Sequence, residues 1–125
     1  MNKNIVVGIA VLAVVVAVGI AEVFFITNSF GQLREDCLDI LTDVHNQTIT
    51  SKQYDVFVEK WHSLREKGEL LLPHADLYEI NLRIAESAMY ISDGSYKDAE
   101  AQLYIVVTLL EYVPHLITPD FQHIF

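Results

Sequence analysis

The 125-residue chain carries 17 acidic and 8 basic side chains, a formal net charge of −9. That balance provides no basic face for a phosphate backbone, which excludes nucleic acid as a partner, and it disfavours electrostatic docking on anionic lipid headgroups. A single cysteine, Cys37, excludes an internal disulfide and every Cys-x-x-Cys motif.

The first element is an apolar run. Ile5 to Ala21 reads IVVGIAVLAVVVAVGIA, with seven Val, three Ile, one Leu, four Ala and two Gly. Ten β-branched residues would favour a strand in water. In lipid no water satisfies backbone N–H and C=O groups, so a lone apolar segment is a helix. Apolar character resumes after Glu22 with Val23, Phe24, Phe25 and Ile26. Positions 5–26 span roughly 33 Å as a helix, which matches a hydrocarbon core of about 30 Å. Eleven large aliphatic side chains give about 3–7 kcal/mol of insertion energy as an upper bound. The expected organisation is a short cytoplasmic tail at 1–4, a transmembrane helix at 5–26 and an extracytoplasmic domain at 27–125. Lys3 precedes the run and only Arg34 follows it closely, a slight positive-inside bias that places the N-terminus in the cytoplasm. The rival reading is a cleaved signal peptide with Gly19 and Ala21 at the cleavage site. The run is longer than the usual apolar core of such peptides and its charged flank is thin, which favours a retained anchor in the cell membrane. Ala13, Ala17 and Ala21 share one face at a spacing of four, a possible surface for transmembrane association.

Beyond position 26 the chain has 16 acids and 7 bases over 99 residues, enough for one small core. Phe30, Leu33, Cys37, Ile40, Leu41 and Val44 fall on one helical face. The anchor is expected to run on into this helix, with or without a kink at Gly31, and to end near Asn46. Cys37 lies in the stripe, where a buried reduced thiol is favoured over a cross-link between chains. Thr50-x-x-Gln53 supplies an N-cap for a second helix with Tyr54, Phe57, Val58, Trp61 and Leu64 inward, and Gly68 is its candidate stop. Pro73 opens a third, with Asp76 and Glu79 where the helix dipole favours negative charge and Leu77, Ile80, Ile84, Ala88 and Ile91 inward. Ser92-Asp93-Gly94 breaks it. Ser95-x-x-Asp98 reads as a capping box for a fourth helix, with Tyr96, Ala99, Leu103, Val106, Leu110 and Val113 inward and a stop at Pro114. Phe121, Ile124 and Phe125 are expected to fold back over the bundle. The fold class is therefore all-α: an N-terminal transmembrane helix and a small antiparallel bundle of about four helices in two αα-hairpins.

No chemistry-bearing constellation emerges. His45, His62, His74, His115 and His123 form no HExxH. His74-Ala-Asp76 is the nearest thing to a ligand pair, and two positions apart on a helix its members point in different directions. A capping or turn role for His74 is the stronger reading. No serine sits in a GxSxG turn and no glycine-rich loop follows a strand. The carboxylate pairs Glu35/Asp39 and Asp39/Asp43 read as a solvated helix face. No catalytic residue, cofactor-binding residue or metal ligand is assigned. The block Ile105–Leu110 is apolar around most of its circumference, so its helix is either central in the bundle or covered by a partner. Tyr104, Val107 and Leu110 are accordingly the candidate partner surface.

The pattern as a whole resembles the bacterial family catalogued as domain of unknown function 4363, small single-anchor membrane proteins. The resemblance rests on the N-terminal anchor, Trp61 in mid-helix, LLLPHADLYEINLRI, the Ser-Asp-Gly turn, LLEYVP at 109–114 and the final Ile124-Phe125. It covers nearly the whole chain. His123 stands where members often have Asn, and the outer region is poorer in Lys. The resemblance implies no enzymatic activity, cofactor or catalytic residue. It implies a membrane location, a helical outer domain and another membrane or envelope protein as partner, with this chain as a non-catalytic accessory or protein-binding subunit. The alternatives are a self-associating structural protein, held as a homo-oligomer through the Ala13/Ala17/Ala21 face and the last helix, and a ligand- or metal-binding domain.

Overall fold

The computed structural model describes residues 2–116. Four α-helices follow in chain order: α1 (Lys3–His45), α2 (Ser51–Gly68), α3 (His74–Ser92) and α4 (Tyr96–Tyr112), closed by a 3₁₀ turn at Val113–Leu116. There is no strand among the described residues. The expected all-α architecture is the one observed.

α1 is a single helix of 43 residues, about 64 Å long at the standard rise. Its N-terminal half is long and apolar enough to cross a membrane, and it stands almost bare: 6% of that window is buried against the rest of the chain. From Ile26 onward the same helix becomes the first member of the bundle. Ile26, Phe30, Leu33, Cys37, Ile40 and Val44 are buried at alternating spacings of four and three, the repeat that keeps one seam facing its neighbours. Gly31 does not interrupt it. Ile26, the last residue of the apolar stretch, is also the first buried residue of the core.

The helices run up, down, up, down. Lys60 on α2 meets Asp36 on α1 at 3.1 Å, Arg83 on α3 meets Gln102 on α4 at 3.0 Å, and His45 at the end of α1 meets Glu100 near the start of α4 at 2.9 Å. α4 packs on both α1 and α3, and α2 packs on α1. Side chains from α2 reach across to α3: Trp61 Nε1 donates to Asn81 Oδ1 at 3.2 Å, and the Tyr54 hydroxyl lies 2.6 Å from both the Ile84 carbonyl and Ser87 Oγ. Trp61 is fully buried and meets the edge of Phe30 at 6.4 Å between ring centroids, with the planes at 81°, a geometry suited to the ring quadrupoles.

Termini are handled unevenly. Thr50 Oγ1 accepts the Gln53 N–H at 3.2 Å, as its sequence position suggests. Both turns at the end of the bundle remote from the apolar half of α1 close by one device, in which two amides bond back to orphan carbonyls. After α3, the Ser95 N–H donates to the Tyr90 carbonyl at 2.8 Å and Gly94 takes φ +76°. After α1, the Thr48 N–H donates to the Asp43 carbonyl at 2.8 Å, and Gln47 takes φ +59° where glycine is the unstrained choice. The Ser95 capping box is not formed. Ser95 is committed to closing α3, and its ψ of 64° is not the extended conformation that aims an N-cap hydroxyl at the helix. α3 starts after Pro73 without a side-chain cap, so His74 does not fill that role. α4 ends at Tyr112, two residues before Pro114, and passes into the 3₁₀ turn. The expected packing of Phe121, Ile124 and Phe125 lies outside the described residues.

Candidate functional site

The chemistry-bearing side chains are dispersed. Among the described residues no three of His, Cys, Asp and Glu gather where they could hold a metal ion. Glu35 pairs with Arg34 at 3.0 Å, and Asp43 accepts from Gln53 Nε2 and from Thr48. His62 and His74 stand exposed on separate helices. The ion pairs tie α1 to α2 and α4 at the surface, where each contributes little.

One polar group is built into the core. Tyr54, Ser87 and the Ile84 carbonyl form a closed triangle, with Ser87 Oγ also 2.7 Å from that carbonyl. Two hydroxyl protons serve three close oxygen pairs, so each hydroxyl has a partner and α2 is keyed to α3 at one height. Cys37 is fully buried, with Sγ 3.8 Å from the Leu103 carbonyl. Burial, with Asp36 beside it, pushes the Cys37 thiol up from 9.0 to about 12. Burial also pushes Tyr54 up from 10.0 to about 12, opposed by the Ser87 hydrogen bond and reinforced by Cys37. The thiol is thus inert, and it would not report which side of a membrane the bundle occupies.

These shifts set an alkaline limit. Folding holds both protons more tightly than the unfolded chain does, so their contribution is complete below pH 9 and declines as the pH rises toward about 12. Each group ionising in the unfolded chain alone lowers stability by about 1.4 kcal/mol per pH unit. Urea midpoints measured from pH 8 to 11 will fall across that window, and Cys37→Ala combined with Tyr54→Phe will flatten the fall. An equally steep decline in the double variant would assign it to other groups.

The candidate partner surface is divided by the fold. Tyr104 is 66% exposed, but Val107 and Leu110 are buried against the chain's own core at 7% and 1%. α4 packs on two neighbours, so its buried arc is wide enough to take both. The burial of Val106, Val107 and Leu110 is thus explained by a central place in the bundle, whereas Ile105 faces outward. Ala13, Ala17 and Ala21 are all exposed along the bare half of α1.

Two apolar stripes that the periodicity did not single out lie on outward faces. On α3, Tyr78, Leu82, Ala85 and Met89 are exposed at spacings of four, three and four, with Tyr78 60% and Met89 66% accessible. On the neighbouring α4, Ala101, Ile105, Thr108 and Tyr112 repeat the same spacing. The outward face of α2 is polar by contrast, with Lys52, Asp55, Glu59, His62 and Glu66 exposed. The signal was present in the sequence as apolar residues left over once the core stripes of α3 and α4 had been assigned. No family model matches the chain, and neither the curated proteins nor the solved structures include one similar to it.

Proposed function

We propose that the chain is a single-pass membrane protein whose helical bundle serves as a non-catalytic accessory or protein-binding subunit of a membrane or envelope complex. The observation that carries this reading is the asymmetry of the bundle surface. α3 and α4 turn tyrosine, leucine, isoleucine and methionine outward while α2 turns charge outward. Aromatic and Met side chains are the ones enriched where protein partners dock. The bare apolar half of α1 supports tethering, and the placement of Lys3 against Arg34 supports a cytoplasmic N-terminus. The resemblance to the domain of unknown function 4363 family agrees with this role.

Affinity purification of the full chain from native membranes tests it. A stoichiometric foreign subunit is expected, and the double change Tyr78→Ser, Met89→Ser will release that subunit while leaving helicity unchanged, since both side chains are exposed. Val107→Ser is unsuited to the purpose, because it cuts into the core. A pure homo-oligomer would replace this reading with self-association, for which the exposed Ala13, Ala17 and Ala21 face is the matching observation.

A further inference from the structure

The turn between α2 and α3 lies at the end of the bundle from which the bare half of α1 projects. Leu70 and Leu71 do not stop at the level of the bundle core. They line a groove with Val18, Ala21, Glu22, Phe25 and Ile26 of α1, which runs from the first core position, Ile26, to eight positions before it, about 12 Å further along the rod. Leu70 is 90% exposed, and Phe25 of the groove and Phe24 next to it are also open. The turn is nonetheless held. Leu72 is buried in the core, and the Leu71 and Leu72 amides both donate to the Gly68 carbonyl, at 3.0 and 2.9 Å. A Cβ on Gly68 would come within 3.2 Å of Leu72, so the helix end and Leu72 are in close register. Lys67, one turn above, places its ammonium 4.9 Å over the Phe25 ring.

We propose that the bundle rests on the bilayer, with Leu70 and Leu71 inserted among its acyl chains and Lys67 at the level of the headgroups. This inference depends on the anchor reading: if residues 5–26 span the hydrocarbon, a turn alongside Val18 and Ala21 lies at acyl depth. The chemistry of the turn fits that depth. The Leu71 and Leu72 amides are bonded within the chain, as is required where no water can serve them, and a lysine above a leucine pair carries its charge back to the interface along its own stem. The net charge of −9 disfavours attraction to anionic headgroups as the cause. The contact is apolar, and its occupant is lipid of the membrane that holds α1. Insertion at a second point would fix the tilt of the bundle and the direction in which α3 and α4 face along the membrane surface.

Full-length chains carrying one added cysteine, Leu70→Cys, Val14→Cys or Lys97→Cys, are labelled with an environment-sensitive dye while buried Cys37 stays unmodified. They are placed in phosphatidylcholine nanodiscs containing nitroxide-labelled lipid. The dye at position 70 will lose most of its emission to a nitroxide near the top of the acyl chain, the dye at 14 to one near the chain end, and the dye at 97 to neither. The same dye at 97 controls for its own apolar character. Quenching at 14 with position 70 behaving like 97 would overturn the inserted turn and leave the anchor standing. Quenching at neither 14 nor 70 would overturn both.

Discussion

Trp61→Ala will unfold the bundle or bring it to the edge of unfolding. Trp61 has no exposed surface, meets Phe30 edge-on and donates its indole N–H to Asn81. Removing a buried indole costs about 3–5 kcal/mol through lost transfer energy and the cavity left behind. Asn81 also loses a partner, and a part-buried acceptor left unmatched adds about 1–3 kcal/mol. Against a typical domain stability of about 5–15 kcal/mol, that loss removes much or all of the margin. Trp61→Phe keeps most of the volume and loses only the hydrogen bond, so it will retain the fold with a lowered midpoint. Circular dichroism during urea titration of the full chain in detergent micelles distinguishes the two. Equal midpoints for Trp61→Ala and the parent would show that the side chain is not the centre of the core.

The second large effect concerns the bare half of α1. Val11→Lys together with Val15→Lys places two ammonium groups near the middle of the apolar run. Each costs about 2.5–3.5 kcal/mol at a helix centre. Together they match the upper-bound insertion energy of about 3–7 kcal/mol that the large aliphatic residues supply. The doubly substituted chain will leave the membrane fraction. Both positions are exposed in the fold, so the bundle will keep its helicity and its urea midpoint. Loss of the membrane fraction without loss of fold separates the tether from the structure it carries. A variant that stays membrane-bound would show that something other than this helix holds the chain there.

Much of this fold is legible in the sequence, because its signals are local. The apolar run, the inward stripes of α2 and α3, the Thr50 cap and the Gly94 break each depend on residues within a few turns of one another. The failures mark where tertiary structure decides. Val107 reads as a surface, beside Leu110 that already belongs to the inward stripe, because a helix that packs on two neighbours needs a wider apolar arc than one stripe, and the second neighbour is invisible locally. Gln47 adopts a left-handed conformation without glycine because the closing hydrogen bonds and the buried Val44 before it hold the turn. Ser95 matches a capping motif, yet its backbone is already used to terminate α3. The place of Leu70 beside Val18 follows only from the antiparallel return of α2 along α1, which no spacing rule expresses. The outward stripes of α3 and α4 were available as residues that fit no core position, and such leftovers are where a partner surface is to be sought.

In the proposed arrangement one continuous helix is both the membrane tether and the first helix of the bundle. The rival is removal of the apolar run after Ala21, which would spare a core that begins at Ile26. Alkaline carbonate extraction of native membranes, followed by intact mass measurement of the chain, separates them. Retention as a tether predicts a polypeptide that still carries residues 5–26 and stays in the pellet until detergent is added. A soluble polypeptide beginning at Glu22 would contradict it.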